Sequence, residues 1–206
     1  MPSLFIDAFI LLFVVIDPIG LAPIFGAITH GATPAYRRRM ALRGAFIAGI
    51  ILVAFVFGGS TLLRALGISM PAFQIAGGVL LFLVAVDMVF ALQSGIRSTT
   101  APEQREAELK HDVSVFPLAF PLMAGPGALT TVLLLSARQA DQPQGIAVIL
   151  LVVIVVLLLA LAALLAATQI MRLMGVTGAN VVTRLFGVIL TALAVQYMLD
   201  GLRSAF

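Results

Sequence analysis

The run Ile16-Asp17-Pro18-Ile19-Gly20 places an acidic residue in the middle of an apolar stretch. An ionised carboxylate at the centre of a bilayer costs roughly 2.5–3.5 kcal/mol on insertion scales. Pro18 removes a backbone N–H, and Gly20 weakens the helix that follows. Backbone polar groups within hydrocarbon must be satisfied by the protein itself or by enclosed water. The run therefore predicts an interrupted helix that lines a functional site, with local helix capping by Asp17 as the alternative.

A second interruption, Gly125-Pro126-Gly127, lies inside the apolar segment 113–136, together with two further prolines. Thr130 and Thr131 follow it, and their hydroxyls can form oriented hydrogen bonds with a ligand. Two alternatives remain open. The Gly-Pro-Gly run can be a tolerated kink, and the threonines can bond to carbonyls of their own helix.

Asp87 is a further acidic residue inside an apolar segment, about five residues before its end. It can relay ions or protons together with Asp17, or pair structurally with an arginine. Gln196 occupies the corresponding place in the second half of the chain and is a weaker candidate for the same pathway. We expect Asp7 and Asp200, near segment ends, to be solvated.

The composition predicts an all-α integral membrane protein. Hydrophobic residues form 62% of the chain and charged residues 10%, against roughly 45–50% and 25% in soluble domains. Roughly 20 apolar residues span a bilayer, and such segments lie at 4–29, 41–64, 70–92, 113–136, 146–171 and 180–202. We expect six transmembrane helices, with the first and fourth broken. A short basic helix from Ala35 to Arg43, capped by Thr33, should feed the second.

The chain lacks the side chains that membrane enzymes and metal sites need. Cysteine is absent, and His30 and His111 fall at segment ends. Hydrolysis needs a serine–histidine pair, paired acids or a metal ion, and Asp17 has only the distant Asp87 as an intramembrane acidic partner. We expect no enzyme, no metal site and no cofactor. The net charge of +3 is explained by membrane topology without a nucleic-acid partner.

Basic residues gather in the first, third and fifth connections between the segments. They are Arg37, Arg38, Arg39 and Arg43, then Arg97, Arg105 and Lys110, then Arg172 and Arg184. Lysine and arginine concentrate in cytoplasmic loops. This distribution predicts that both termini lie outside the cytoplasm.

The two halves of the chain align at an offset of about 108 residues, the kind of internal repeat that is typical of duplicated folds. Gly78-Val79-Leu80-Leu81 matches Gly187-Val188-Ile189-Leu190, and Asp17-Pro18-Ile19-Gly20 falls on Gly125-Pro126-Gly127-Ala128. Because each half has an odd number of spans, the second half must be inverted. We expect a first three-helix repeat at 1–92, a cytoplasmic loop at 93–112 and a second three-helix repeat at 113–206.

Paired interrupted segments in inverted repeats are typical of secondary transporters, whose substrates bind near the bilayer midplane. The free N–H groups at a half-helix N-terminus bind anions, so a broken helix can hold the carboxylate of an amino acid. Asp17 can then hold the ammonium group, and it can carry a proton whose release accompanies binding.

Several motifs, in their order and spacing, resemble the MarC family of membrane proteins. They are Ile16-Asp17-Pro18-Ile19-Gly20 with Pro23-Ile24-Phe25, Arg37-Arg38-Arg39, Gly67-Ile68-Ser69 with Pro71-Ala72-Phe73, and Ala124-Gly125-Pro126-Gly127-Ala128. The resemblance implies six helices in two inverted halves in the bacterial inner membrane, where the distribution of basic residues then places both termini in the periplasm. For the transporter branch of the family it implies ion-driven uptake of glycine and alanine. Carried over by motif, the functional positions are Asp17, Pro18, Gly20, Gly125, Pro126 and Gly127.

The leading hypothesis is therefore a secondary transporter of small neutral amino acids, coupled to protons or sodium ions and embedded in the lipid bilayer. The alternative is an exporter of small metabolites or drugs on the same fold. The oligomeric state is left open by the sequence.

Overall fold

The computed structural model describes residues 2–90 and 112–206, and the regular structure in these ranges is entirely helical. The elements are α1 (Pro2–Ile16), α2 (Pro18–Ile28), α3 (Pro34–Ala65), α4 (Met70–Phe90), α5 (Ser114–Met123), α6 (Pro126–Arg138), α7 (Pro143–Leu165) and α8 (Ala167–Ala205). The predicted loop 93–112 lies outside the described residues, except for Asp112.

Five helical stretches are long and apolar enough to cross a membrane, or up to six if the bent pair α5–α6 is one span. The first stretch runs from Ser3 to Ile28 and contains both α1 and α2, which Asp17 separates. Helices α5 and α6 are bent by 56° at their junction. The all-helical class is confirmed, and the interruptions occur where the sequence predicts them.

Helix α3 is one continuous helix of 32 residues that includes the expected basic segment. Thr33 caps it as predicted, since its side chain accepts a hydrogen bond from the Tyr36 N–H at 3.3 Å, and Pro34 occupies the first helical position. No proline follows Pro34 within this helix. The basic stretch and the apolar span therefore continue as a single element.

The predicted end of the fifth segment, residue 171, was wrong. Helix α7 ends at Leu165 and α8 begins at Ala167, with a second irregularity at Gly175. Gly175 has φ 63° and ψ 179°, a left-handed value that favours glycine because other side chains clash there. The apolar part of α8 that can span the membrane begins after this glycine, at Thr177.

Helices α4 and α8 form the most extensive helix pair of the structure. A Cβ atom at Gly78 would lie 2.8 Å from the Ala194 carbonyl oxygen, and one at Gly201 would lie 3.1 Å from the Pro71 carbonyl oxygen. Small residues allow helix backbones to approach closely in membranes. Glycine at these positions therefore sets the spacing of the pair.

Helix α6 lies at the centre of the bundle. Every residue from Gly127 to Ser136 is buried except Leu129, which is half-buried. Helices α1, α3, α4 and α7 all contact it. A helix that is buried on all sides is apolar around its whole circumference, so the two threonines within α6 are exceptions that call for an explanation.

An ion pair joins α3 to the start of α5. Arg43 Nη1 donates to Asp112 Oδ2 at 2.8 Å, while Asp112 Oδ1 accepts from the Ser114 N–H at 3.0 Å and from the Ser114 hydroxyl at 2.5 Å. Burial by itself would raise the pKa of Asp112, but the Ser114 hydrogen bonds and the charges of Arg43 and Arg39 together lower it. The carboxylate form of Asp112 therefore stabilises the folded state.

We predict that Asp112→Asn lowers the melting temperature of the detergent-solubilised protein at pH 7, by the equivalent of about 1 kcal/mol. Because the folded pKa lies below the unfolded value of about 3.9, the stabilisation is complete above that value and is lost as the pH falls through the folded pKa. The difference in melting temperature between wild type and variant should therefore narrow as the pH falls below that value. The exposed Asp141 provides the control, and Asp141→Asn should match the wild type. A difference for Asp112→Asn that stays constant or grows as the pH is lowered would contradict the assignment.

Candidate functional site

Asp17 forms the first break. Its side chain is fully buried, and its backbone has φ 51° and ψ 68°, the only positive φ among the described residues other than glycine. Aspartate tolerates this left-handed conformation better than most residues. The backbone remains bonded across the break, because the Asp17 N–H donates to the Phe13 carbonyl at 2.9 Å and its own carbonyl accepts from the Leu21 N–H at 3.1 Å. The break is thus a local interruption without an unwound loop, and α1 and α2 together form one apolar span from Ser3 to Ile28.

The Asp17 carboxylate caps α2. Its Oδ1 atom accepts from the Gly20 N–H at 3.0 Å, and Pro18 occupies the first helical position, where its missing N–H costs nothing. The structure therefore shows Asp17 as the N-cap of α2, as the capping alternative expects. A ligand-binding role for Asp17 remains a prediction.

The second carboxylate oxygen contacts a residue that sequence reasoning missed. Thr183 of α8 donates its hydroxyl hydrogen to Asp17 Oδ2 at 3.0 Å, across 166 positions of the chain. The only signal for Thr183 in the sequence is a hydroxyl within an apolar segment, which other threonines share.

Gly20 leaves the space in which this contact forms. A Cβ atom at this position would lie 2.1 Å from Asp17 Oδ2 and 2.6 Å from Thr183 Oγ1. Both distances are shorter than any side chain can tolerate, so Gly20 is required by the close approach of the carboxylate and the hydroxyl. Asp17, Gly20 and Thr183 form one unit, which we call the first-break cluster.

The second break has no acidic cap. Gly125 precedes α6 without a side-chain hydrogen bond to the helix N-terminus, and a Cβ atom on Gly125 would lie 2.2 Å from the Pro121 carbonyl oxygen. Pro126 takes the first helical position. The first N–H groups of a helix have no acceptor within it, so the start of α6 presents donors with a partial positive charge.

The irregularity extends back through α5. The Leu118 N–H donates to the Val113 carbonyl at 3.2 Å and the Ala124 N–H to the Ala119 carbonyl at 2.8 Å, both five residues apart, as in a widened π-type turn. Phe116 and Phe120 have extended backbone angles, and each precedes a cis proline. The sequence located the break at residues 125–127, whereas the structure shows an irregular segment about twelve residues long.

A small cavity lies beside the second break. Its lining includes Val15 from the last turn of α1, Val84 from α4, and Gly125, Pro126 and Gly127. In this conformation it has room for about one water molecule. A Cβ atom on Gly127 would lie 3.1 Å from Val15 Cγ1, so the start of α6 lies against the helix turn that precedes Asp17. Asp17, Pro18 and Gly20 themselves do not line the cavity.

The two predicted threonines are buried near this region. Thr130 packs its methyl group against Gly77 of α4. Thr131 is fully buried, and its hydroxyl has no hydrogen-bond partner within residues 2–90 and 112–206. The alternative in which Thr131 bonds back to its own helix is therefore not what this structure shows. An unpaired buried hydroxyl costs about 1–3 kcal/mol, and such groups often mark functional positions.

Comparison with known proteins decides the family. Residues 2–206 match the MarC family of integral membrane proteins. The chain belongs to the MarC family. It is 36% identical to the UPF0056 membrane protein YvbG of Bacillus subtilis, over 99% of this chain and 96% of YvbG. It is 35% identical to the UPF0056 inner membrane protein YhgN of Escherichia coli K12, over 96% of this chain and 95% of YhgN.

An archaeal relative extends the family across a wide range of organisms. A UPF0056 membrane protein of Archaeoglobus fulgidus is 36% identical, over 97% of this chain and 92% of the relative. No solved structure shows a significant match to the chain. The MarC protein described here is thus a multi-pass integral membrane protein.

The remaining polar candidates are Asp87, Gln196 and Asp200. Asp87 is 7% exposed and lies one helical turn beyond the cavity residue Val84. Gln196 donates to Asp200 at 2.7 Å, and Arg138 lies 4.0 Å from the same carboxylate. Asp200 is therefore part of a polar cluster at the end of α6 and α8 and is only partly solvated.

The close packing around Gly20 predicts that a side chain at this position destabilises the folded protein. Gly20→Ala should lower the free energy of unfolding by about 1–3 kcal/mol, because the new methyl group must displace a buried carboxylate from its hydrogen bonds. Gly26→Ala is the matched control in the same helix, since nothing lies within 4 Å of a Cβ atom there. It should be neutral or stabilising. Thermal unfolding in detergent measures both variants, and equal stability of the two would disprove the proposed crowding at Gly20.

Proposed function

We propose that this MarC protein is a secondary transporter of small neutral amino acids, glycine and alanine. The substrate binds near the midplane, between the two broken helices, and its movement is coupled to a proton or sodium ion. The observation that carries the proposal is the adjacency of two breaks of opposite polarity. One holds a buried carboxylate and the other an uncapped helix N-terminus, and Gly127 lies against Val15, two residues before Asp17.

The chemistry of the two breaks matches a zwitterion. A helix N-terminus with free N–H groups binds a carboxylate, and the Asp17 carboxylate binds an ammonium group. Thr131 adds a buried hydroxyl that is unpaired among the described residues and is available to a ligand. The cavity wall includes Gly125, Gly127 and Ala128, and the cavity is small, which favours a ligand with a side chain no larger than methyl.

An inverted repeat accounts for the packing of the helices. Helix α3 contacts α5 and α6, while α7 contacts α1 and α2. In the same way α4 contacts α6, and α8 contacts α2. Each of these contacts has a counterpart in which the halves exchange roles, and this partial symmetry supports the proposed two-fold axis in the membrane plane. Alternating access in such folds is a movement of one part of the bundle against another around the site.

The small cavity beside the second break matches one stage of an alternating-access cycle. Its size in this conformation is about that of one water molecule, so binding an amino acid requires the walls to separate. We assign this conformation to a closed stage of the cycle. Asp17 and Asp87 are the proposed relay for the coupling ion.

We predict that Asp17→Asn weakens glycine binding at least about tenfold, because hydrogen bonds to a charged group contribute about 1.5–3 kcal/mol and 1.4 kcal/mol is one decade of affinity. Asparagine retains the left-handed conformation and an acceptor for the Gly20 N–H, so the variant should fold. The measurement is ligand-induced thermal stabilisation of purified protein by glycine and by alanine. Asp7→Asn, at an exposed position of α1, serves as the control and should bind like the wild type.

Failure of both ligands to stabilise a folded wild type would refute the amino acid site. Liposome transport then separates the two directions, since the same fold can serve an exporter of small metabolites or drugs. Net uptake of glycine driven by an imposed proton or sodium gradient supports the leading proposal, and net efflux under the same gradients supports the exporter. Transport that ignores both gradients would refute coupling.

A further inference from the structure

We propose that the Thr183 hydroxyl is a second oxygen ligand, beside the Asp17 carboxylate, for the cationic group that binds at the first break. The inference rests on the proposed function and adds a residue from α8 to the site. The cationic group is either the ammonium of the substrate or a sodium ion, which share a requirement for closely spaced oxygen atoms.

The geometry sets Thr183 apart from Thr191 and Thr29, whose hydroxyls also donate hydrogen bonds. Thr191, also in α8, donates to the Gly187 carbonyl at 2.8 Å, and Thr29 donates to the Phe25 carbonyl at 2.6 Å. Both of these bonds stay within one helix. Thr183 instead reaches across to α2 and places its oxygen 3.0 Å from Asp17 Oδ2.

The two oxygens of the Asp17 carboxylate accept hydrogen bonds from different partners. Oδ1 accepts from the Gly20 N–H and maintains the cap, while Oδ2 accepts from Thr183. Loss of the Thr183 bond therefore leaves the cap of α2 in place. The site can bind and release a cation at Oδ2 without unfolding the break.

A hydroxyl group can serve this exchange because it has one hydrogen to donate and two lone pairs to accept with. Without a ligand, its hydrogen points to Asp17. When a cation arrives, the hydroxyl rotates and offers a lone pair, so Oγ1 and Oδ2 contact the same cation. At membrane depth these oxygens replace water that the cation has lost, as coordinating oxygens do in ion-selective proteins.

The absence of a side chain at Gly20 keeps this pair of oxygens together. A Cβ atom there would approach both oxygens, at 2.1 Å from Oδ2 and 2.6 Å from Oγ1. Asp17 Oδ2 and Thr183 Oγ1 are so close to this position that they leave no room for a methyl group, and both can contact one small cation.

The experiment compares Thr183→Val, Thr183→Ser and Thr191→Val with the wild type, all as purified full-length protein. The first removes the hydroxyl with little change in shape, the second retains it, and the third removes a hydroxyl that bonds only to its own helix. Thermal stabilisation is measured with glycine in sodium-free buffer, and with sodium chloride against choline chloride without an amino acid. Thr183→Ala is the second test of hydroxyl loss if the valine variant does not fold.

We expect Thr183→Val to weaken binding of the cation about tenfold or more, and Thr183→Ser to stay within about threefold of the wild type. Thr191→Val should bind normally. Weakened binding of glycine alone assigns the pair of oxygens to the substrate ammonium, weakened binding of sodium alone assigns it to the coupling ion, and weakening of both assigns it to a shared position.

Binding of both probes by Thr183→Val as tightly as by the wild type would overturn the inference while leaving the proposed function intact. Equal loss in Thr183→Ser and Thr183→Val would also overturn it, because packing by the threonine methyl group would then explain the effect. A folded wild type that responds to neither probe would overturn both proposals.

Discussion

The Asp17 carboxylate holds together three parts of the chain at a depth where no bulk water is available to replace it. It accepts a hydrogen bond from Gly20, in the first turn of α2, and one from Thr183 on the distant helix α8. An unpaired polar group in this position would cost several kcal/mol in hydrocarbon. The direction of α2, the glycine at position 20 and the approach of α8 to the first break all follow from keeping this carboxylate paired.

At the second break, backbone polar groups are paired without a charged side chain. Gly125 and Pro126 start α6 with no side-chain cap, and the widened turns of α5 keep the Leu118 and Ala124 N–H groups bonded five residues back. The two breaks are therefore unequal, one with a fixed acidic group and the other with free donors at a helix N-terminus. The proposed binding of a zwitterion uses this inequality, since a symmetrical pair of breaks would match only one end of the ligand.

Close helix packing brings the two breaks next to each other. Glycines at positions 78 and 201 bring α4 and α8 together at backbone distance, and Gly127 brings α6 against the last turn of α1. Lipid chains provide no hydrophobic driving force between helices, so association depends on such close contacts and on interhelical hydrogen bonds. The bond from Thr183 to Asp17 is one of the latter.

The sequence by itself determined the helical class, the apolar segments and the positions of the two breaks, because length, hydropathy and helix-breaking residues are local properties. It also indicated Asp17 as the residue of the first break, since a carboxylate among apolar neighbours is costly wherever the chain folds. Only the tertiary structure supplied Thr183 as the partner of Asp17, the unpaired hydroxyl of Thr131, and the burial of α6 on all sides. These features depend on which helices meet and on their rotation about their own axes. Nothing local fixes that choice for Thr183, because its hydroxyl would be equally compatible with a bond to its own helix until α8 packs against α2.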